Sequence, residues 1–151
     1  ETLVAFCVGE LRLGIDVRAV REVTRAIPLS APLSNAGGVI GMITLRGASV
    51  AVIDLGAVIG TPDHHSDRRA RFIAVDHHGS TVCLLVDRVE GLLDVADAGL
   101  ESPPLMIRGT AVSWLKGVTR SSQGDLVGVI NLDALLSRSA VMAAEVCTAN
   151  A

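Results

Sequence analysis

Four imidazoles occur as two adjacent pairs, His64-His65 and His77-His78, and four is enough to hold a zinc ion. Neighbouring residues of an extended chain point to opposite sides, neither pair has the spacing of a helix face, and both fall in polar turns, which predicts solvated loop histidines and no metal. Cys83 would need to ionise to act as a nucleophile, yet the run Thr81-Val82-Cys83-Leu84-Leu85 is apolar and raises a thiol pKa, so it is expected to pack in the core. Asp54 and Asn131 stand at the ends of apolar runs, a common place for a catalytic carboxylate. Each precedes a leucine and a helical period, so both are expected to cap short helices instead. Asp16 and Asp87 occupy a second pair of matched positions and are expected to make local turn bonds. Gly37-Gly38 lacks the Gly-Lys-Ser/Thr continuation of a phosphate loop, and Trp114 reads as a core anchor. Arg46 is the only ionisable side chain between Val39 and Ile53, so it must stand in water or find a partner on the surface. No catalytic, cofactor-binding or metal-binding residue is expected, and the chain reads as a non-enzyme.

The elements that position these residues are mainly strands. Residues 3 to 8 are an apolar run and 11 to 17 alternate apolar and polar, which predicts a hairpin around Gly9-Glu10. Val17, Val20 and Val23 then recur every third residue, predicting a short helical turn or a bent strand with Arg18, Arg21 and Glu22 on its polar side. Ile27 to Gly38 is rich in Pro, Ser and Gly and reads as a loop. A hairpin over 39–55 turns at Arg46-Gly47 and runs into a helix through Leu55, Val58 and Ile59, stopped by Gly60-Thr61-Pro62. The stretch from 61 to 71 is the most polar part of the chain and a boundary. Strands over 72–75 and 81–86 form a second hairpin around His77-His78, and Asp87 to Gly91 turns the chain toward Leu92 to Val95. Gly99 and Ser102-Pro103-Pro104 mark a loop. A third hairpin joins 114–119 to 126–130, after which Asn131 opens a C-terminal helix through Leu132, Leu135, Leu136 and Met142, and residues 143 to 151 are expected to fray.

Composition narrows the class. The chain has 151 residues, half of them hydrophobic, but only 2% aromatic, so its core must be built from Val, Leu, Ile and Ala, a mix that favours strands. The net charge is −3, and 12 of the 13 basic residues are Arg, spread without a basic run, which argues against nucleic acid. Cys7, Cys83 and Cys147 are an odd, widely spaced set, as expected of reduced thiols in a cytoplasmic protein. No apolar run has the length of a membrane span, and no signal-peptide pattern opens the sequence.

A repeat organises the strands. Phe6 to Val23 reads strand, turn, strand, then Ile15-Asp16-Val17 and Glu22; Phe72 to Glu90 reads strand, turn, strand, then Val86-Asp87-Arg88-Val89-Glu90. The following hairpins match too, Gly41 to Asp54-Leu55 and Gly117 to Asn131-Leu132, with spacings that differ by one residue. Two copies of a five-strand unit, each too small to bury much alone, predict two small β-barrels packed together with a groove between them.

Gly14-Ile15-Asp16-Val17 with Val20 and Glu22, Gly41 with Leu45-Arg46-Gly47 and Val52-Ile53-Asp54-Leu55, Val86-Asp87-Arg88-Val89, and Leu115-Lys116-Gly117 with Val129-Ile130-Asn131-Leu132 together resemble, in order and spacing, the CheW-like chemotaxis coupling family over residues 3–137. The resemblance implies one mostly-β domain over 1–151, made of two intertwined five-stranded SH3-like barrel subdomains with short helices. The subdomains would span approximately 10–65 and 70–130, with a C-terminal helix over 131–146 packed back on the body. It implies a cofactor-free signalling adaptor coupling the cytoplasmic tips of chemoreceptors to the regulatory domain of a CheA-type histidine kinase. Receptor helices would lie near the groove between subdomains, and outer barrel edges would face the kinase. The implied protein-binding positions are Val20, Glu22, Gly41, Arg46, Val86 and Asp87. Among them Arg46 and Glu22 are expected to form a surface ion pair, with Val20 and Gly41 in an apolar patch and Arg46 at its rim. An aromatic common after the glutamate is replaced by Thr24-Arg25-Ala26, and Thr44 stands where the family often has asparagine. Two rival readings are a specialised paralogue or detached domain that binds one partner only, and a small enzyme or ligand binder on a two-barrel scaffold. The protein is expected to be a monomer with weak ring-like contacts at barrel edges, cytoplasmic and recruited to receptor arrays without inserting in the membrane.

Overall fold

The computed structural model describes residues 1–36, 38–60, 67–95, 106–107, 110–111 and 114–136. In chain order the elements are β1 (Thr2–Val8), β2 (Leu11–Asp16), a 3-10 turn (Val17–Ala19), β3 (Val20–Arg25), β4 (Ala31–Ala36), β5 (Val39–Leu45), β6 (Ala48–Asp54) and α1 (Leu55–Ile59). They continue as β7 (Arg71–His77), β8 (Ser80–Val86), β9 (Arg88–Asp94), β10 (Met106–Ile107), β11 (Thr110–Ala111), β12 (Leu115–Arg120), β13 (Leu126–Ile130) and α2 (Leu132–Leu136). The fold is mostly β, as the composition implies. Among the described residues no helix is long and apolar enough to cross a membrane.

Two sheets carry the architecture, one ordered β12-β13-β2-β1-β9 and the other β3-β7-β8-β6-β5-β4; β10 and β11 pair by themselves. The sequence repeat explains this order. β1, β2, β3, β5 and β6 correspond to β7, β8, β9, β12 and β13, so the two sheets follow the same plan with one exchange. The hairpin β1–β2 of the first copy joins the later strands of the second, and the hairpin β7–β8 joins the later strands of the first. Each exchange is sealed by a parallel pairing, β13 with β2 and β6 with β8. The subdomains are therefore intertwined, and the stretches 10–65 and 70–130 each contribute to both sheets.

Two clusters of buried side chains follow from the two-residue period of the strands. On β7, Ile73 and Val75 face the central cluster between the sheets, together with Phe6, Leu13, Ile15, Ile53 and Leu84, while Phe72 and Ala74 face a second cluster with Ile43, Val50, Val52 and Cys83. Both faces of the six-stranded sheet are thus covered, and each of the two Phe residues anchors one cluster. Full burial of a Leu, Ile or Phe contributes about 1.5–3 kcal/mol. Leu55 and Val58 of α1 and Leu135 and Leu136 of α2 close the central cluster.

Several local expectations are revised. Residues 31–36, read as a loop, form β4, which pairs only with β5 at the sheet edge, where Pro32 has no ladder bond to lose on its outer side. The three-residue period after Asp16, read as a short helical turn or a bent strand, is a single 3-10 turn followed by the bulged strand β3, whose residues alternate between half-buried and exposed. Arg88 to Gly91, read as a turn, belongs to β9 and pairs with β1. Of the C-terminal helix, α2 covers Leu132–Leu136; Met142 and the rest of 137–151 lie outside the described residues, as do His64, His65, Gly99 and Ser102-Pro103-Pro104.

Candidate functional site

Arg46 and Gly47 are the two central residues of the β5–β6 hairpin, with φ of 51° and 82°. Two positive φ values in a two-residue loop match the twist of the flanking strands, and they hold the Arg46 side chain at the hairpin tip. Its Nε donates to Glu22 Oε2 at 2.6 Å. Glu22 lies on β3, and β7 and β8 separate β3 from β6 in the sheet. A flat sheet would hold them roughly 14 Å apart at three strand spacings. The contact therefore closes a curled, barrel-like sheet, consistent with Ala26 and Leu29 beyond β3 packing on the same cluster as Ile40 and Leu45 of β5.

A bulge aims the glutamate. Val20 pairs with Val75 but Glu22 pairs with Ala74, so Arg21 is an extra residue and the register shifts by one. Val20 and Glu22, two apart in sequence, thereby face opposite sides of the sheet: Val20 packs on the central cluster, and Glu22 turns toward Arg46 and Cys83. Arg21 donates to Thr81 Oγ1 at 3.0 Å and lies 3.5 Å from Asp76 Oδ1, which also accepts from Thr81 Oγ1 at 2.9 Å. Arg21, Glu22, Arg46 and Thr81 rim a groove of about 370 Å3 whose floor includes Leu45, Ala48 and Val50, with Asp76 bonded to Thr81 behind the rim. The result is a short apolar floor with charges of both signs at its lip, a layout that suits a protein partner.

The remaining positions implied by the resemblance lie elsewhere. Gly41 is buried in β5 between Pro32 and Val52, beside a second bulge at Ile40. Val86 is 1% exposed in the central cluster. Asp87, expected to bond within its own turn, reaches across the fold: it accepts from the Gly9 backbone N–H at 2.6 Å while its own N–H donates to the Cys7 carbonyl. It pins the β1–β2 turn to the β8–β9 junction, because the strand exchange brings those corners together. The structure thus brings Glu22 and Arg46 together and sets Val20, Gly41, Val86 and Asp87 into the frame behind them. Arg21, Asp76 and Thr81 join the site unforeseen, since a bulge leaves no mark in residue periodicity.

Among the described residues, the candidates for covalent or acid-base chemistry have structural places. Burial, reinforced by the negative charge of Glu22, pushes the Cys83 thiol up to about 12, and Cys7 is raised by burial and by Glu90. Asp54 Oδ1 accepts from Gly56 N–H and Asn131 Oδ1 from Ala134 N–H, the helix caps expected of them. Asp16 makes the expected local bond to Arg18 N–H, and the Arg18 guanidinium holds its carboxyl below the usual range. His77 is not a solvated loop residue: it ends β7, is 6% exposed, and its Nε2 lies 2.9 Å from Asp133 Oδ1, because α2 folds back over that strand end.

A curled sheet with a charged groove at its lip, with Cys7 and Cys83 buried and Asp54 and Asn131 bonded as helix caps, has the layout of a binding scaffold. Comparison with known proteins gives the family. Residues 2–140 match the CheW-like domain, so the chain belongs to the CheW-like family and is a chemotaxis coupling adaptor. A chemotaxis protein CheW of Rhizobium meliloti is 30% identical over 134 residues, covering 88% of this chain and 85% of the relative. A probable chemotaxis protein CheW of Rhizobium etli is 28% identical over 137 residues, covering 91% and 88%. The crystal structure of the scaffolding protein TtCheW from Thermoanaerobacter tengcongensis has the same fold, with a TM-score of 0.81 at 24% identity over 92% of this chain and 89% of that one.

Proposed function

We propose that this adaptor is non-catalytic and works by holding two proteins at once, the cytoplasmic tip of a chemoreceptor and the regulatory domain of a CheA-type histidine kinase. The observation that carries the reading is the Arg46–Glu22 pair at the lip of the groove. Arg46 is 79% exposed and anchored at one nitrogen, which leaves the outer edge of its planar fork for a carboxylate or carbonyl of a partner, while Glu22, at 19%, fixes its direction. The six-stranded sheet offers this groove, and the outer strands β9 and β12 of the other sheet offer backbone edges, so two partners can be bound through separate faces. In this role the protein works in the cytoplasm, is recruited to membrane receptor arrays through its partners, and is a monomer that makes weak contacts there.

Calorimetric titration against a receptor cytoplasmic hairpin and, separately, the kinase regulatory domain of the same organism tests the proposal. Micromolar binding to both, weakened by Arg46→Ala for at least one, is the expected result. Binding to one partner alone indicates a specialised member of the family, and binding to neither refutes the adaptor role in this form.

A further inference from the structure

A second groove, of about 490 Å3, runs between the sheets beside α2. At its wall three metal-binding side chains converge. The Nε2 atoms of His77 and His78 lie 2.9 and 3.5 Å from the same oxygen, Asp133 Oδ1, and all three ligand atoms fall within 4.8 Å of one another. Adjacent histidines in a regular strand would point to opposite faces. Here His78 occupies the first position of the β7–β8 turn with φ of 50°, followed by Gly79 at 81°, and this left-handed backbone brings its ring back beside that of His77, with centroids 4.0 Å apart.

We infer that His77, His78 and Asp133 form a site for one divalent cation of the zinc class, with a further coordination position open to the groove. Ligands 2.0–2.1 Å from a tetrahedral zinc are separated by roughly 3.3 Å, a value that the two observed N···O distances bracket. Two imidazoles and one carboxylate favour zinc, nickel or copper over magnesium or calcium, which take oxygen ligands. The cation replaces the contacts of both imidazoles with Asp133 by coordinate bonds and so ties the β7–β8 turn to α2. Asp76 and Asp16 on the groove wall add negative charge, and Lys116 opposes it.

The test uses the full chain stripped of metal and titrated with zinc chloride alone, by calorimetry and by competition with a chromophoric chelator. One equivalent is expected to bind at micromolar affinity or tighter and to raise Tm by about 5 °C at saturation. His78→Ala and Asp133→Asn alter side chains that are each 75% exposed, so both variants fold, and each is expected to lose zinc affinity at least about tenfold. The double variant His64→Ala/His65→Ala is expected to bind as the parent does. Cobalt should give the visible spectrum of a tetrahedral nitrogen–oxygen site in the parent and not in His78→Ala. Affinity no better than millimolar, equal affinity for calcium, or binding that survives in His78→Ala and disappears in the 64/65 variant would overturn the inference.

Discussion

Substitution of Arg46 is expected to separate binding from stability, and the structure sets the size of both effects. The side chain is 79% exposed and, among the described residues, is paired with a 19% exposed glutamate, a setting in which an exposed pair contributes about 0.2–1 kcal/mol. Arg46 also holds a left-handed backbone, φ 51°, which costs a residue with a Cβ about 1–2 kcal/mol. Arg46→Ala removes the pair and keeps the backbone cost, so it should destabilise by no more than about 1 kcal/mol. Arg46→Gly removes both and should be about 1 kcal/mol more stable than the alanine variant. Partner affinity follows the side chain alone. An interface arginine at the lip of an apolar groove is worth about 2 kcal/mol or more, so both variants should lose about thirtyfold against at least one partner. Urea unfolding measures the first effect and calorimetry the second. A glycine variant less stable than the alanine variant refutes the turn geometry, and unchanged affinity for both partners refutes the role of the guanidinium.

Other substitutions probe the frame. A Cβ at Gly38, where φ is 95°, would run into Val58 Cγ2, so Gly38→Ala should cost about 2 kcal/mol or more; at Gly128 the added carbon meets the flexible end of Leu115 at 2.9 Å, so Gly128→Ala should cost about 1 kcal/mol, with the order read from denaturant midpoints. Asp87→Ala leaves the Gly9 N–H without its carboxylate and should destabilise by about 1–3 kcal/mol in the same assay, although the residue lies far from the groove. The Cys83 thiol, held at about 12 in the fold against an ordinary 9.0, keeps its proton where the unfolded chain has released it. Stability from this group is complete below pH 9 and falls as pH rises from there toward 12, and Cys83→Ala should flatten that alkaline limb in pH-dependent unfolding.

Much of the scaffold was legible because strand alternation and turn chemistry are local. The hairpins at Gly9-Glu10, Arg46-Gly47 and His78-Gly79 and the caps at Asp54 and Asn131 each rest on a few neighbouring residues, and the duplicated pattern disclosed two equivalent halves. What escaped is non-local or depends on register. Residues 31–36 have the composition of a loop and become a strand because β5 offers an open edge. Asp87 looked like a turn residue because nothing near it in sequence announces that Gly9 is its neighbour. His77 looked solvated because its cover, α2, arrives from the far end of the chain. Within the site, Arg46 stood out by its isolation and its link to Glu22 came from family resemblance, whereas Arg21, Asp76 and Thr81 depend on one bulge.

The duplication also shows why the two halves need not bind alike. Bulges recur at equivalent places, at Arg21 where β3 meets β7 and at Glu90 where β9 meets β1. The residue that follows the bulge is Glu22 in the six-stranded sheet and Gly91 in the five-stranded one, so the bulge turns a carboxylate toward the facing hairpin tip in the first sheet alone. Glu22 there meets the two-residue Arg46-Gly47 tip, whose guanidinium lies 2.6 Å away. In the five-stranded sheet the corresponding tip is the longer Ser121–Asp125 loop, whose Asp125 is bonded to Arg12, and Glu90 lies instead beside Arg88 of its own strand. The charges at that tip and at that bulge are thus closed within the five-stranded sheet, Asp125 by Arg12 and Glu90 by the Arg88 guanidinium. The symmetry of the repeat thus supplies a stable pair of sheets, and the residue after each bulge together with the sequence of each hairpin tip assigns the Arg46–Glu22 pair to the six-stranded sheet.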